Sequence, residues 1–162
     1  MTVDIRRLIA FLSACGFAAS IFVYIASFSG GLVDSIFPYL IPLTLGCIAL
    51  LITLYVLEYP AWKTPTFFWS GFPRGIPSWV TPFSRVLLLV FLVHLVWAML
   101  HGGRGVPGIE DGKYVLESNG RIFKVLTRAE YLTLRAEGLR AGATVMTYLY
   151  FVPVVYWWFP PT

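Results

Sequence analysis

Four apolar stretches, residues 8–29, 36–57, 83–100 and 143–159, each approach the roughly 20 residues that a helix needs to cross a bilayer core. Lipid offers no water to an unpaired backbone group, so a spanning segment must satisfy its hydrogen bonds internally. The expected fold class is therefore an all-α membrane protein with four transmembrane helices. Composition agrees: 58% of residues are hydrophobic and 12% charged, against about half and about a quarter in soluble proteins. The 162 residues hold four spans, two shorter connections and one larger extramembrane insert, residues 101–142. That is one polytopic domain, 1–162, with no room for a separate catalytic domain.

The net charge is +4, and the Lys and Arg residues fall in the connections and at span edges. Charge placed there speaks of membrane orientation and anionic headgroups rather than nucleic acid. Cys15 and Cys47 lie inside separate spans, which excludes a metal ribbon or a dithiol motif and makes both expected buried fillers. Leu12-Ser13-Ala14-Cys15 after Arg6 and Arg7 has the form of a lipoprotein processing site. The apolar run continues past Cys15 to Phe28, which is expected of a retained span rather than a cleaved signal.

The first span carries small residues in rows, Ala10, Ala14 and Ala18 on one and Gly16 and Ser20 on another. Small side chains let helices approach closely in membranes, and the expected neighbour is the second span, joined by a short turn at residues 30–35. The second connection, 58–82, interleaves five prolines with Trp62, Phe67, Phe68, Trp69, Phe72 and Trp79. Proline at that density blocks regular structure, while rings with polar edges favour the headgroup zone. An aromatic anchor along the membrane surface is expected, with a platform for a partner as the alternative reading.

The third connection has the grammar of a soluble domain. Lys113–Ser118 and residues 121–126 alternate around Asn119-Gly120, the pair preferred in a type I′ hairpin turn. A regular register sets Leu116 opposite Phe123 and Tyr114 opposite Val125. Thr127 and Glu130 form a capping box that starts a helix. Ala129, Leu132, Ala136, Leu139 and Ala143 give that helix an apolar stripe, and Gly138 and Gly142 are expected to bend it into the last span. The glycine-rich segment 102–108 reads as a flexible exit loop.

Four spans put both termini on one side. Arg6, Arg7, Lys63 and Arg74 favour the cytoplasm for that side, whereas the seven basic residues of the third connection argue the other way. Cytoplasmic termini are expected because the first helix usually dominates.

His94 is the one ionisable residue well inside a span, a default functional candidate because its burial is expensive. It is a candidate axial ligand for haem or a chlorophyll-type pigment. The structural alternative is a histidine bonded to a Tyr, a Ser or a carbonyl of a neighbouring helix. No nucleophilic triad, His-x-x-x-His pair, phosphate loop or intramembrane carboxylate pair is present. No internal repeat suggests a transporter.

Asp111-Gly112-Lys113-Tyr114-Val115-Leu116, Asn119-Gly120-Arg121-Ile122, Leu126-Thr127 and Glu130-Tyr131 together resemble a loop of small uncharacterised bacterial four-helix inner-membrane proteins. The resemblance covers residues 111–131. It implies a bacterial origin and a hairpin-plus-helix module beside a span, and it brings no activity, cofactor or site. The function expected from the whole chain is a non-enzymatic accessory or assembly subunit of a larger membrane complex, energy-transducing or photosynthetic in kind. Its expected partners are other membrane subunits and lipids. The partner-binding candidates are Tyr114, Leu116, Asn119, Gly120, Phe123 and Val125 in the hairpin, with Trp62, Trp69 and Trp79 in the aromatic loop. A pigment protein using His94 and a small oligomeric transporter are the alternatives.

Overall fold

The computed structural model describes residues 3–30, 32–58, 76–101 and 105–159. Helix α1 covers Val3–Ala26. A short helix α2, Val33–Ile36, and a 3-10 turn, Phe37–Tyr39, lead into α3, Leu40–Glu58. Helix α4 is Val80–His101. Strands β1 (Val106–Glu110), β2 (Lys113–Ser118) and β3 (Arg121–Val125) follow, and α5, Arg128–Trp158, ends the described chain. Four helical segments are long and apolar enough to cross a membrane. The second expected span starts as a broken helix, because Pro38 falls in the 3-10 turn and Pro42 in the first turn of α3, where a missing N–H costs nothing.

Helix α5 organises the bundle. Of its most apolar 18 residues 56% are buried, against 28% in α1, 11% in the second segment and 6% in α4. Its most extensive contact is with α1, and α3 and α4 reach the bundle chiefly through it. The expected pairing of α1 with the second span is thus secondary. The packing face of α1 keeps Ala10 from one expected row and Gly16 and Ser20 from the other. Ala10, Ser13, Ser20, Val23 and Ser27 are buried, whereas Ala18 is exposed. Serine serves here as a small residue because its hydroxyl folds back on its own helix. Ser13 Oγ donates to the Ile9 carbonyl at 2.8 Å, Ser20 to Phe17 at 2.8 Å and Ser27 to Tyr24 at 2.6 Å, which pairs all three hydroxyls locally.

Tyr150 locks three helices together. Its ring lies where a Cβ on Gly16 would fall, and its hydroxyl is 2.8 Å from the place of a Cβ on Gly46. The hydroxyl donates to the Leu43 carbonyl of α3 at 2.6 Å. Nearby, the Thr147 hydroxyl lies 2.9 Å from Ser20 Oγ across the α1–α5 contact. Cys47 is buried in this region, but Cys15 is exposed, contrary to the filler role expected of both.

Helix α5 runs unbroken through Gly138, Gly142 and Pro153, so the amphipathic helix and the last span are one continuous element. At 1.5 Å per residue its 31 residues span roughly 46 Å, well beyond a bilayer core of about 30 Å. The surplus, at its N-terminal end, carries the sheet. The buried line there is Tyr131, Ala136, Leu139 and Ala143, with Ala129 exposed.

The sheet has three antiparallel strands in the order β1-β2-β3. Strand β1 replaces the exit loop expected around Gly105 and Gly108. It pairs with β2 through Asp111 and Gly112, at φ of 47° and 74°, and as an edge strand it tolerates Pro107. The second turn, Asn119-Gly120, adopts the expected positive φ, 52° and 73°.

The register differs from expectation. Val115 pairs with Val125 and Leu116 with Lys124, but Glu117 pairs with Ile122, so Phe123 is an extra residue in a β-bulge. A one-residue slip exchanges the faces of a strand. It takes Phe123 and Val125 away from α5 and brings Lys124 and Leu126 toward it. Leu126 then buries with Leu116 and Tyr131, its N–H donating to the Tyr114 carbonyl at 2.7 Å. Lys124 Nζ reaches Glu130 Oε1 at 2.7 Å.

The capping box is complete. The Glu130 N–H donates to Thr127 Oγ1 at 3.2 Å, and the Thr127 N–H donates to Glu130 Oε2 at 2.8 Å. Glu130 stands outside the apolar stretch of α5. The hydrogen bond from Lys124, then those from Thr127, hold its carboxyl down to about 2, from 4.5.

Two outcomes are expected. Gly16→Ala should lower stability in detergent by about 1–3 kcal/mol through overpacking against Tyr150, whereas Gly138→Ala, where a Cβ meets nothing within 4 Å, should gain about 0.5–1 kcal/mol. Thermal unfolding of both variants reads the contrast, and equal effects would discount the tyrosine lock. The depressed Glu130 carboxyl contributes stability that is present above pH 4.5 and lost as pH falls toward 2. Amide protection at the first turn of α5, relative to intrinsic exchange at each pH, should therefore fall across that window in the wild type and be low and flat in Glu130→Gln.

Candidate functional site

Four parts of the chain converge where the bundle meets the sheet. The later half of α4 brings Val93, His94 and Trp97, and the corner before α3 brings Phe37 and Leu40. The sheet and its lead-in bring Gly105, Val106, Pro107 and Leu116. Helix α5 contributes Leu134, Arg135, Glu137, Gly138, Arg140 and Ala141. Together they line a cavity of about 670 Å³, a volume typical of small-molecule sites. The lining is mostly apolar, with its charges confined to α5.

Arg135 is the most constrained of these charges. Its guanidinium carbon lies 4.1 Å from the Phe37 ring centre and 5.3 Å from that of Tyr131. Its Nη1 is 3.2 Å from Asp34 Oδ1, with 20% of the arginine side chain exposed and 54% of the aspartate. An ion pair that wet on one side is worth about 0–1 kcal/mol, whereas a largely desolvated cation over a ring reaches about 2 kcal/mol. The rings therefore hold Arg135 more firmly than Asp34 does. Its Nε is buried with no hydrogen-bond partner among the described residues, as is the Tyr131 hydroxyl one turn earlier. Arg140 lies over Phe28 at 5.0 Å.

His94 is half-buried on the wall of the cavity. Its Nδ1 is 2.9 Å from the Val90 carbonyl. A carbonyl only accepts, so Nδ1 carries the proton and Nε2 of the neutral ring is left as an acceptor. The bond expected to a neighbouring helix is thus made within α4, and the neighbour supplies instead an edge contact from Tyr24 at 5.9 Å. Nε2 is free in chemical type to ligate, but no group of three or more metal-binding side chains occurs among the described residues. The His101 side chain lies outside those residues.

The hairpin candidates divide between two faces. Tyr114 packs at a tilt on Tyr131 with ring centres 4.7 Å apart, and Leu116 is buried beside it. Both are engaged by the chain's own helix. Phe123 and Val125 are exposed, and Asn119 and Gly120 occupy the exposed turn. Trp79 is exposed and meets Phe83 edge-on at 6.3 Å. Trp62 and Trp69 lie outside the described residues.

Sequence reasoning gave Phe37, Trp97 and Arg135 no role. No spacing signal joins residues 37, 97 and 135, which only the fold brings together. Comparison with protein-family profiles, with characterised proteins and with solved structures returns no match.

If the rings position Arg135, Phe37→Leu should cost about 1–2 kcal/mol and Asp34→Asn less than about 1 kcal/mol. Chemical denaturation in mixed micelles separates the two, and the reverse order would assign Arg135 to its ion pair.

Proposed function

We propose that this chain is a multi-pass protein of a bacterial inner membrane, with both termini cytoplasmic, that serves as a non-enzymatic accessory subunit of a larger membrane complex. The observation that carries this reading is the outer face of the sheet. Ile122, Phe123 and Val125 of strand β3 are 53%, 74% and 60% exposed, three apolar side chains in four residues where a solvated strand would alternate to polar ones. An exposed apolar face of this kind marks an interaction surface. Strand β3 adds a free edge, able to accept a further strand. The lightly buried α3 and α4 supply apolar flanks for lipid or for the helices of a partner.

The test is mass spectrometry of material co-purified in mild detergent from native membranes. The wild type should bring a stoichiometric set of larger subunits. Phe123→Glu with Val125→Glu should lose them while remaining membrane-extracted and equally heat-stable. Gly120→Val, which forces a β-branched residue to φ near +73°, should weaken the same association through the turn. A wild-type chain recovered alone as a monodisperse monomer would overturn the accessory role. Unaltered partners in the double variant would transfer the contact to the helices.

A further inference from the structure

The geometry points to a second role for the cavity between α4, α5 and the sheet: it binds one membrane amphiphile by its anionic head, a phosphate or a carboxylate, with the hydrocarbon running out along α4. The cavity lies where the apolar bundle gives way to the sheet-bearing end of α5, the level at which headgroups sit if the four helices cross a bilayer. Val93, Trp97, Leu40 and Leu134 give it an apolar body. Its charged lining residues are two arginines, Arg135 and Arg140, and a single carboxylate residue, Glu137.

Asp34 Oδ1 engages one Nη of Arg135, and the side chain still keeps 20% of its surface exposed at the cavity. An anionic oxygen is the acceptor that arginine's fork fits best. Basic pockets between spanning helices bind lipid headgroups by this chemistry. The open flank is α4, with 6% of its apolar stretch buried, so the ligand can enter sideways from the bilayer. A diacyl phospholipid and a free fatty acid share this chemistry.

The inference rests on the membrane placement proposed above. Its test is native mass spectrometry of the full chain released from nanodiscs of phosphatidylcholine alone, or with phosphatidylglycerol or oleate added. The wild type should retain close to one anionic lipid per chain and no phosphatidylcholine, and whichever additive is kept identifies the head. Arg140→Gln should reduce retention at least tenfold. Gly138→Leu is the second variant, because Gly138 lines the cavity and a Cβ there meets nothing within 4 Å. It fills the space while keeping both charges, and retention should again fall tenfold without loss of heat stability.

Retention that is equal for all lipids, or unchanged in Gly138→Leu, would mean ordinary boundary lipid and overturn the site. A wild-type sample carrying a tetrapyrrole absorption band would also overturn it, giving the cavity to a His94-ligated pigment instead. A chain found in the aqueous fraction defeats the membrane placement itself. A membrane-extracted chain without bound anionic lipid defeats only this inference.

Discussion

Tyr150 has to be accommodated before the rest of the bundle can close. A tyrosine on the central helix brings a large ring and a polar tip into an apolar contact, and each needs a separate solution. The ring takes the space that Gly16 leaves on α1, and the hydroxyl passes Gly46 to reach the Leu43 carbonyl on α3. Two missing side chains and one hydrogen bond thus fix the positions of α1 and α3 relative to α5. Between helices whose surfaces are apolar almost all round, such close packing and polar pairing are what select one arrangement.

Helix α5 packs against the end of α1 and against α2 from Ala136 onward, and its first turns are the surplus beyond that contact. The sheet is built on that surplus. Leu116, Leu126 and Tyr131 form a small apolar cluster between sheet and helix, and the Lys124–Glu130 pair and capping box close its edge. A sheet alone would be marginal at this size. Resting on an extended helix, it acquires a buried face, and its other face, with Phe123 and Val125, becomes available for contact.

The cavity follows from the same geometry. A sheet seated on the end of a helix cannot also fill the angle between α4 and the corner before α3. The space left there is apolar where it meets the bundle and charged where α5 emerges. Arg135, clamped between Phe37 and Tyr131, is held at that boundary with one donor unused. His94 faces the same space from α4 with its proton committed to Val90.

The four helical segments, the Asn119-Gly120 turn and the Thr127/Glu130 cap were determined by sequence alone, because each depends on neighbours within one element: a run of apolar residues, two positions that tolerate positive φ, a hydroxyl three residues before a carboxylate. Strand β1 was only half legible. Its Asp111-Gly112 turn is a standard hairpin signal, but Pro107 and the preceding glycines masked the strand, which is acceptable only at an edge. The bulge at Phe123, the choice of α5 rather than α3 as the main partner of α1, and the meeting of Phe37, His94 and Arg135 were decided by tertiary structure. Each compares alternatives of nearly equal local energy, two strand registers or two faces of one small-residue helix. Only the fit of a distant side chain, Leu126 against Tyr131 or Tyr150 against Gly16, separates them.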